Sequence, residues 1–575
     1  MADGVFKVKF KYSNIAFTLM IAISGINLAA CNDENDVSSN NASESVQSSN
    51  DSTLRFDITK TQATTINISV DGQAMKVTQY RIVYVAKPLK VSTTQASLGG
   101  GTTSVTDPYS YQTLIISVPE GKEKDQNTAM YLQFNNAGWW ASPVKTNIIE
   151  GANLISSNNT DNYGAALKAG YIVVDVGTRG RGLTSETGTW IGKAPAAIVD
   201  AKAAIRYLKL NDSLLPGSAE KIVISGTSGG GGLVSAVAAS GNSSDYFPYL
   251  NEIGAAGIQK SGTSIVSTLK DNIFAVIAYC PINNLPNADL GYEWQYNASR
   301  NDSNTGALNG ISYNAGQQAI ASSEIATKFP TYLSSLNLKL SDGVQLTVEN
   351  MPDQIKKQIK AEIERQLANG VQVPKLGENF VSSRATLIND WLEHDGTKVI
   401  NIDYKKFLDY VAKNQSLKTV VAFDAVAVNG NPAISGETNL FGDDKTEYEN
   451  FSEWSWDHNN KMGDASGLDD TGLTWENYLK SNSTAANLLK DQVKLVNPIN
   501  YLNTTTDTAP YWYIRHGMLD RDTSFAIQMV LYYAVLNDPK VKDVNFKLPY
   551  LTGHSGNYDV QEAFNWINSK LADAK

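Results

Sequence analysis

Short apolar runs separated by glycine-rich turns dominate the chain from residue 129 onwards. The runs at 129–134, 171–176, 222–224 and 273–279 are apolar almost throughout, which is typical of strands buried on both faces. Between two of them, residues 194–208 place apolar side chains at helical spacing. Strands that alternate with helices in this way predict a mostly parallel sheet covered on both faces.

The first and last strands of the predicted sheet differ from its central, parallel strands. Alternating apolar and polar residues at 65–70, 80–85 and 114–118 predict antiparallel strands before the parallel part. Far downstream, residues 511–514 and 544–551 predict two further strands, each followed by a helix. The sequence therefore predicts one sheet whose last strands are separated from the rest by a long insertion.

The insertion between these strands is polar, aromatic and loop-rich. Within it, Ile355, Ile359, Ile363 and Leu367 recur every four residues and predict a helix with a narrow apolar stripe that docks on a neighbour. A stretch of roughly two hundred residues is too long for a loop, so we predict a lid domain.

One glycine-rich turn carries candidate chemistry. Ser228 lies in Gly-Thr-Ser-Gly-Gly, between a predicted strand and a predicted helix. The pattern predicts a nucleophile elbow, which exposes the serine hydroxyl and aims the N–H of Gly229 at a developing negative charge. Gly138 lies in the loop where such enzymes place the second oxyanion donor. The alternative interpretation of each glycine segment is a plain strand-ending turn.

Two further side chains complete a candidate triad. Ser228, Asp520 and His554 each follow the end of a predicted strand, and this chain order is the one expected of an α/β-hydrolase. Asp522 is a second candidate for the acid, although we favour Asp520. At the level of the residues, His516 is better explained as a hydrogen-bonded structural histidine at a strand end. The predicted fold is an α/β-hydrolase fold with a large inserted lid domain between late strands.

The composition excludes several partners. The 575 residues carry a net charge of -10 and no basic patch, which argues against a nucleic-acid partner. No His-Glu-x-x-His pattern, no clustered His/Cys ligand set and no Gly-Lys-Ser/Thr after the glycines occur, so we predict no metal and no other cofactor. The sequence does not indicate an oligomeric state.

The first residues have the pattern of an export signal. Three lysines precede an apolar stretch at 15–28, and Leu-Ala-Ala then leads into Cys31, which resembles a bacterial lipobox. We therefore expect an exported chain whose Cys31 is lipidated and anchors it to a membrane of the bacterial cell envelope. The alternative is an ordinary signal peptide with a chance cysteine.

These patterns together predict a domain plan. A lipoprotein signal peptide with its lipobox occupies 1–31, and a disordered tether of Asn, Ser, Asp and Glu follows at 32–52. The α/β-hydrolase domain comprises 53–282 and 501–575, and the lid domain comprises 283–500.

Several motifs along the chain are shared with one enzyme family. They are Gly-Thr-Ser-Gly-Gly-Gly-Gly-Leu at 226–233, Gly-Asn-Ser-Ser-Asp-Tyr at 241–246, Gly-Lys-Ala-Pro at 192–195, Asp-Arg-Asp-Thr at 520–523 and His-Ser-Gly-Asn-Tyr-Asp at 554–559. From about Phe56 to the C-terminus the chain resembles bacterial tannase, the tannin acyl hydrolase that cleaves galloyl esters. The resemblance implies a serine esterase that hydrolyses tannins and simple gallates through an acyl-enzyme.

The resemblance also implies roles for individual residues. Asp520 would be the triad acid, and Asp522 would bind a phenolic hydroxyl together with Lys418 and Glu437 from the lid. Residues 429–433 look like an insertion between the motifs that carry Lys418 and Glu437. Two carboxylates and one ammonium match three adjacent ring hydroxyls, which favours gallate over simple benzoates.

Two other functions fit the same residues. A feruloyl esterase, a general carboxylesterase or a peptidase would use the same triad on another substrate. A lipoprotein that binds polyphenols or glycans beneath its lid, without turnover, would use none of that chemistry.

Overall fold

The apolar runs of the sequence form the centre of one large sheet. The computed structural model describes residues 49–98, 101–308, 310–425, 437–462 and 471–573. The strands are β1 (Ala63–Val70), β2 (Gln73–Val83), β3 (Thr94–Ser97), β4 (Gly101–Ser104), β5 (Thr113–Pro119), β6 (Ala129–Phe134), β7 (Asn153–Leu154), β8 (Ile172–Val176), β9 (Ser218–Thr227), β10 (Ile258–Ser261), β11 (Ser264–Ser267), β12 (Ala275–Tyr279), β13 (Asn379–Val381), β14 (Thr386–Ile388), β15 (Leu392–His394), β16 (Val399–Ile402), β17 (Tyr511–Arg515) and β18 (Asp543–Lys547).

The helices cover the sheet and build the inserted region. They are α1 (Ser49–Leu54), α2 (Asn162–Lys168), α3 (Ala196–Leu210), α4 (Gly229–Ala239), α5 (Phe247–Glu252), α6 (Leu285–Tyr296), α7 (Gln317–Ala326), α8 (Phe329–Ser335), α9 (Met351–Ala368), α10 (Tyr404–Asn414), α11 (Glu453–Met462), α12 (Trp475–Lys480), α13 (Thr484–Leu495), α14 (Phe525–Asn537) and α15 (Val560–Asp573).

The large sheet has ten strands in the order β18-β17-β12-β9-β6-β8-β5-β2-β1-β7. The six strands from β18 to β8 are mutually parallel, whereas β8, β5, β2 and β1 pair antiparallel. Every residue of β6, β8, β12 and β17 is buried, as expected of strands covered on both faces. The predicted arrangement of an antiparallel beginning and a parallel remainder is confirmed.

Two hydrophobic clusters lie on opposite faces of the sheet. Helices α3, α4 and α14 pack in one cluster, and helices α2 and α15 pack in the other. Alternate residues of the central strands enter the two clusters: Ile222 and Ile224 of β9 join the first, whereas Val223 joins the second. The carboxyl-terminal edge of the sheet is left open for loops.

The region inserted between β12 and β17 packs directly onto this core. Ile355, Ile359 and Ile363 of α9 are fully buried, and Gln354 accepts a hydrogen bond from the Tyr533 hydroxyl of α14. The predicted helix and its docking stripe are therefore confirmed. Residues Gln47–Lys575 form a single compact unit, and the domain boundaries at 283 and 500 stay a prediction.

Two predicted boundaries differ from the structure. Helix α1 begins at Ser49, inside the tether predicted for 32–52, because Asp51 is buried and accepts the N–H of Gly257. The last strand ends at Lys547 rather than at residue 551, because the chain turns at Pro549 to bring Met518 and Leu519 into backbone hydrogen bonds with 549 and 552.

Some predictions fall on residues that the structure does not describe. The signal peptide, Cys31 and most of the tether precede residue 49, and the apparent insertion at 429–433 lies between two described ranges. Within the described ranges, no helix combines the length and the apolar character needed to cross a bilayer.

Candidate active site

The candidate residues lie on loops at one edge of the sheet. Gly138 follows β6, Ser228 follows β9, Asp520 follows β17 and His554 follows β18. These strands are parallel and belong to one run of neighbours, so their carboxyl ends meet at the same edge. An open α/β sheet gathers its site in this place.

Ser228 lies in a tight turn between β9 and α4. Its φ of 60° and ψ of -122° are strained for a residue with a side chain, at a cost of about 1–3 kcal/mol. Two hydrogen bonds stabilise the turn, because Ser228 N–H donates to Tyr279 O at 2.9 Å and Ile282 N–H donates to Ser228 O at 2.9 Å. The loop after β12 thus supports the strained serine.

Three side chains form a hydrogen-bonded row. His554 Nε2 lies 2.8 Å from Ser228 Oγ, and His554 Nδ1 lies 2.8 Å from Asp520 Oδ2. The other oxygen of Asp520 accepts the backbone N–H of Asp522 at 2.8 Å. In this arrangement the imidazole can accept the serine proton while the carboxylate fixes its tautomer.

The charges in the row stabilise one another. Burial alone would raise the pKa of Asp520, but the positive charge and hydrogen bond of His554 hold it well below the usual value. Burial would lower the pKa of His554, but the negative charge of Asp520 and their hydrogen bond raise it well above 6.5. Asp520 is therefore ionised at any pH at which an imidazole acts as a base.

Gly138 and Gly229 lie against each other beside Ser228. A Cβ added to Gly229 would lie 2.0 Å from the Trp139 backbone nitrogen and 2.9 Å from the Gly138 carbonyl carbon, so only glycine fits there. Gly229 is the first residue of α4, where backbone N–H groups have no partner within the helix. Gly138 has φ 58° and ψ 26°, which also favours glycine. Their role as oxyanion donors stays a prediction.

One tyrosine joins the segment that carries Lys418 to the segment that carries Asp522. The Tyr292 hydroxyl of α6 accepts the backbone N–H of Lys418 at 3.1 Å and donates to the backbone carbonyl of Arg521 at 2.8 Å. Asp522 Oδ2 lies 3.8 Å from His554 Nδ1, and Lys418 Nζ lies 4.1 Å from the centre of the Phe423 ring. The lid segment that carries Lys418 is thereby joined to the loop that carries the triad acid.

A buried carboxyl group positions the chain after Lys418. Asp289 of α6 accepts the backbone N–H groups of Ala422, Phe423 and Asp424, each at 2.9 Å. Burial raises the pKa of Asp289 to about 8. These three hydrogen bonds fix the segment that begins at Lys418 to the helix beneath it.

Glu437 lies on another side of the site, next to Arg181. Its Oε1 is 3.8 Å from Arg181 Nη1. Asn439 Oδ1 accepts the N–H of Gly182 at 2.7 Å, and Lys193 Nζ donates to Asn439 O at 2.7 Å. The segment that carries Glu437 is thus fastened to the loops that follow β8. Among the described residues, no ion pair joins Lys418 to Glu437 or Asp522.

The sequence did not reveal the contacts that Arg181 and Lys193 make with the inserted region. Arg181 lies in a Gly-Thr-Arg-Gly-Arg-Gly turn directly after the buried strand β8, so its position at the sheet edge was itself a signal. Lys193 belongs to the Gly-Lys-Ala-Pro motif that supported the family resemblance. Nothing in the spacing indicates that its ammonium reaches a lid segment 246 residues away.

A second histidine lies beside the proposed triad acid, Asp520. His516 is fully buried beside Asp520, and burial lowers its pKa, so the 3.3 Å contact between them is not an ion pair. Among the described residues its ring nitrogens have no well-aligned hydrogen-bond partner, and the expectation of a hydrogen-bonded histidine stays a prediction.

Cys280 lies close enough to the row to form a possible ligand cluster. Its Sγ and the ligand atoms of Asp520 and His554 all lie within 4.8 Å of one another. The sequence alone does not indicate this cluster, because Cys280 follows β12 and is distant in the chain from Asp520 and His554. A metal ion bound there would occupy the histidine that contacts Ser228, so His554 and Asp520 fit the hydrogen-bonded row better than a metal centre.

Comparisons with known proteins agree with this architecture. A family model described as BD-FAE matches residues 143–323. The crystal structure of Fusobacterium nucleatum tannase is 30% identical, with a TM-score of 0.69, and the match covers 90% of this chain and 99% of that one. A tannin acyl hydrolase in complex with ethyl gallate is 29% identical, with a TM-score of 0.67 and coverage of 90% and 98%. Another, in complex with 3,4-dihydroxybenzoate, is 29% identical, with a TM-score of 0.66 and the same coverage. No curated protein matches the chain.

The sheet and these matches define the class of protein: it has an α/β-hydrolase fold with a large insertion before its last two strands. At this identity and coverage, the chain belongs to the bacterial tannase family and is a tannase-like esterase.

Proposed function

We propose that the chain is a serine esterase that hydrolyses galloyl esters through an acyl-enzyme on Ser228. The proposal is carried by one observation, the row in which His554 bonds Ser228 and Asp520 at 2.8 Å each. Its substrate class is supported by membership of the tannase family and by relatives bound to ethyl gallate and 3,4-dihydroxybenzoate.

Acylation uses the three side chains of the row. Ser228 Oγ attacks the ester carbonyl carbon while His554 Nε2 takes the serine proton. The carbonyl oxygen gains a negative charge, which the N–H groups of Gly138 and Gly229 stabilise. The bond to the alcohol oxygen then breaks, and His554 returns the proton to the leaving alcohol.

Deacylation repeats these steps with water. His554 takes a proton from water, the hydroxide oxygen attacks the acyl carbon, and the bond to Ser228 Oγ breaks as the proton returns to the serine. Gallate leaves with the oxygen of that water. Asp520 remains ionised throughout and stabilises the imidazolium in both halves.

The aromatic ring is selected by polar side chains. Asp522 and Glu437 accept hydrogen bonds from ring hydroxyls, and the Lys418 ammonium donates to a hydroxyl oxygen. A ring without hydroxyls cannot make these hydrogen bonds, each of which contributes about 1.5–3 kcal/mol when the protein group is charged. We therefore expect gallate esters to be preferred over benzoate esters.

Hydrolysis of methyl gallate by purified protein tests the proposal. We expect gallate release by the wild type and a loss in kcat of at least about 10⁴-fold in Ser228→Ala. Ser555→Ala is a matched control, because Ser555 is an exposed serine beside His554 whose hydroxyl, among the described residues, donates to the Gly556 carbonyl alone. Undiminished release by Ser228→Ala, or no release by the wild type, contradicts the proposal.

We also propose that the mature chain is exported and attached to a bacterial membrane through lipid on Cys31. The support is the sequence alone, in which the apolar signal and Leu-Ala-Ala precede the cysteine. Expression in a bacterial host with radiolabelled fatty acid should label the wild type and leave Cys31→Ala unlabelled and detached from membranes. Equal labelling of both proteins would contradict the anchor.

A further inference from the structure

Arg181 is built into the frame that carries the candidate oxyanion donor. Its backbone N–H donates to Trp139 O at 3.0 Å, and its carbonyl accepts the N–H of Ala141 at 3.2 Å. The loop after β8 is therefore joined on both sides to the loop that contains Gly138. The Arg181 side chain therefore begins next to the loop that carries Gly138.

The guanidinium of Arg181 is fixed by an indole ring. It lies over the Trp140 ring, with 4.6 Å between the guanidinium carbon and the ring centre. Trp140 in turn packs against Gly182, where an added Cβ would lie 2.2 Å from the ring. Stacking of this kind holds the plane of the guanidinium and leaves its N–H edge free to donate.

The donors of this pair are buried and unused. Arg181 Nε and Trp140 Nε1 are both buried, and neither has a hydrogen-bond partner among the described residues. Among the described residues, the carboxylate beside Arg181 is that of Glu437, whose Oε1 lies 3.8 Å from Arg181 Nη1 and thus beyond hydrogen-bond length. A buried donor left unpaired costs about 1–3 kcal/mol. A ligand oxygen that enters here would remove that cost.

We propose that Arg181 and Trp140, with Glu437, form a subsite for a ring hydroxyl of the substrate. The hydroxyl oxygen accepts from the Arg181 guanidinium, and its O–H donates to Glu437. Two atoms 3.8 Å apart can each lie about 2.8 Å from one shared oxygen. The Trp140 N–H lies toward the loop of Gly138, since its nitrogen is 3.8 Å from the position that a Cβ on Gly138 would take, and it offers a further donor on that side.

The subsite discriminates by hydrogen-bonding capacity. A free hydroxyl can accept from Arg181 and donate to Glu437 at once, whereas a methoxy oxygen can only accept. A carboxylate would attract Arg181 but would be repelled by Glu437. Arg181 and Glu437 keep 11% and 12% of their side-chain surface exposed, so neither is sealed from solvent. The predicted ligand class is an aromatic ester with unmethylated ring hydroxyls.

This inference rests on the proposed function, and Arg181→Met tests it. We would measure kcat/KM with the methyl esters of gallic, trimethoxybenzoic and benzoic acids. Loss of the shared hydroxyl contact should reduce kcat/KM for gallate by about 5- to 100-fold, mainly through KM. The loss should be much smaller for the two esters that have no ring hydroxyl, so the gallate-to-benzoate ratio should fall.

Control variants separate selection from structure. Arg384→Met replaces an exposed arginine elsewhere in the inserted region and should leave the ratio unchanged. Arg181→Lys keeps the charge but loses the planar fork, so it should restore only part of the ratio. Trp140→Phe keeps a ring under the guanidinium, loses the N–H, and should lower the ratio less than Arg181→Met.

The outcomes distinguish this inference from the proposed function. Equal losses with all three esters, or an unchanged gallate-to-benzoate ratio in Arg181→Met, would overturn the subsite. If the wild type released no gallate at all, the proposed function would fail instead. In that case, calorimetry would compare gallate binding by Ser228→Ala with gallate binding by the double variant Ser228→Ala/Arg181→Met. Weaker binding by the double variant would support the subsite, and equal binding would refute it.

Discussion

The hydrogen-bonded row and the side chains proposed to bind the ring are stabilised in different ways. Ser228, His554 and Asp520 already make the hydrogen bonds that ester hydrolysis needs, on loops at neighbouring strand ends. Lys418 and Glu437 come from the inserted region, and their side chains face a ring and an arginine at 4.1 Å and 3.8 Å. Under the proposed function, the chemistry is organised before substrate arrives, whereas selection is completed by hydroxyls that the substrate brings.

The backbone explains this difference. The row depends on parallel strands whose carboxyl ends must meet, so its geometry follows from the sheet. The ring-binding segments are fixed one by one, through Tyr292 and Asp289 for Lys418 and through Lys193 for Glu437. Substitutions in the row should therefore affect all esters, and substitutions in the lid should affect gallate above all.

Two aspartates two residues apart offer the sharpest comparison. Asp520→Asn should reduce kcat by about 10⁴-fold, because the imidazole loses its tautomer and its counter-charge. The reduction should be similar for gallate and benzoate esters, measured by steady-state hydrolysis with each. A loss confined to gallate esters would contradict the place of Asp520 in the row, because the carboxylate would then bind the ring.

Asp522→Asn should have a smaller and selective effect. The amide keeps the backbone N–H that donates to Asp520, so the row stays intact, but a ring hydroxyl loses its charged acceptor. We expect kcat/KM for gallate to fall by about 5- to 100-fold with little change for benzoate. Equal losses for both esters would assign Asp522 to the catalytic row.

Lys193→Met should weaken the attachment of the Glu437 segment. The ammonium donates to two lid carbonyls, Asn439 O at 2.7 Å and Glu447 O at 2.8 Å, which the methionine cannot replace. We expect a several-fold loss in kcat/KM for gallate, and a loss of about 1–3 kcal/mol in the free energy of unfolding. A normal gallate-to-benzoate ratio in this variant would show that the attachment does not control selection.

The smallest effect concerns pH. Catalysis needs uncharged His554, and its pKa is raised above 6.5 because Asp520 outweighs the lowering by burial. The uncharged base is populated only as pH rises through that raised value, so kcat/KM should increase with pH with a midpoint above 6.5. The measurement is a pH profile with a benzoate ester, and a midpoint below 6.5 would contradict the charge assignment.

The sequence predicted the three residues of the hydrogen-bonded row better than the residues around that row. Ser228, Asp520 and His554 could be found because an apolar strand followed by a turn is a local pattern, and chain order limits which strand ends meet. Arg181 and Lys193 could not be assigned because their partners lie 256 and 246 residues away. Helix α1 was missed for the same reason, since its polar residues are ordered by Asp51 contacting Gly257.

Trapping the acyl-enzyme tests the central claim most directly. Protein quenched in acid during turnover of a galloyl ester would be digested and examined by mass spectrometry, with Ser228→Ala treated in parallel. We expect a peptide that carries Ser228 with one added galloyl group in the wild type, and no acylated form of that peptide in Ser228→Ala. Turnover without any acylated peptide, or a galloyl group on another residue, would contradict it.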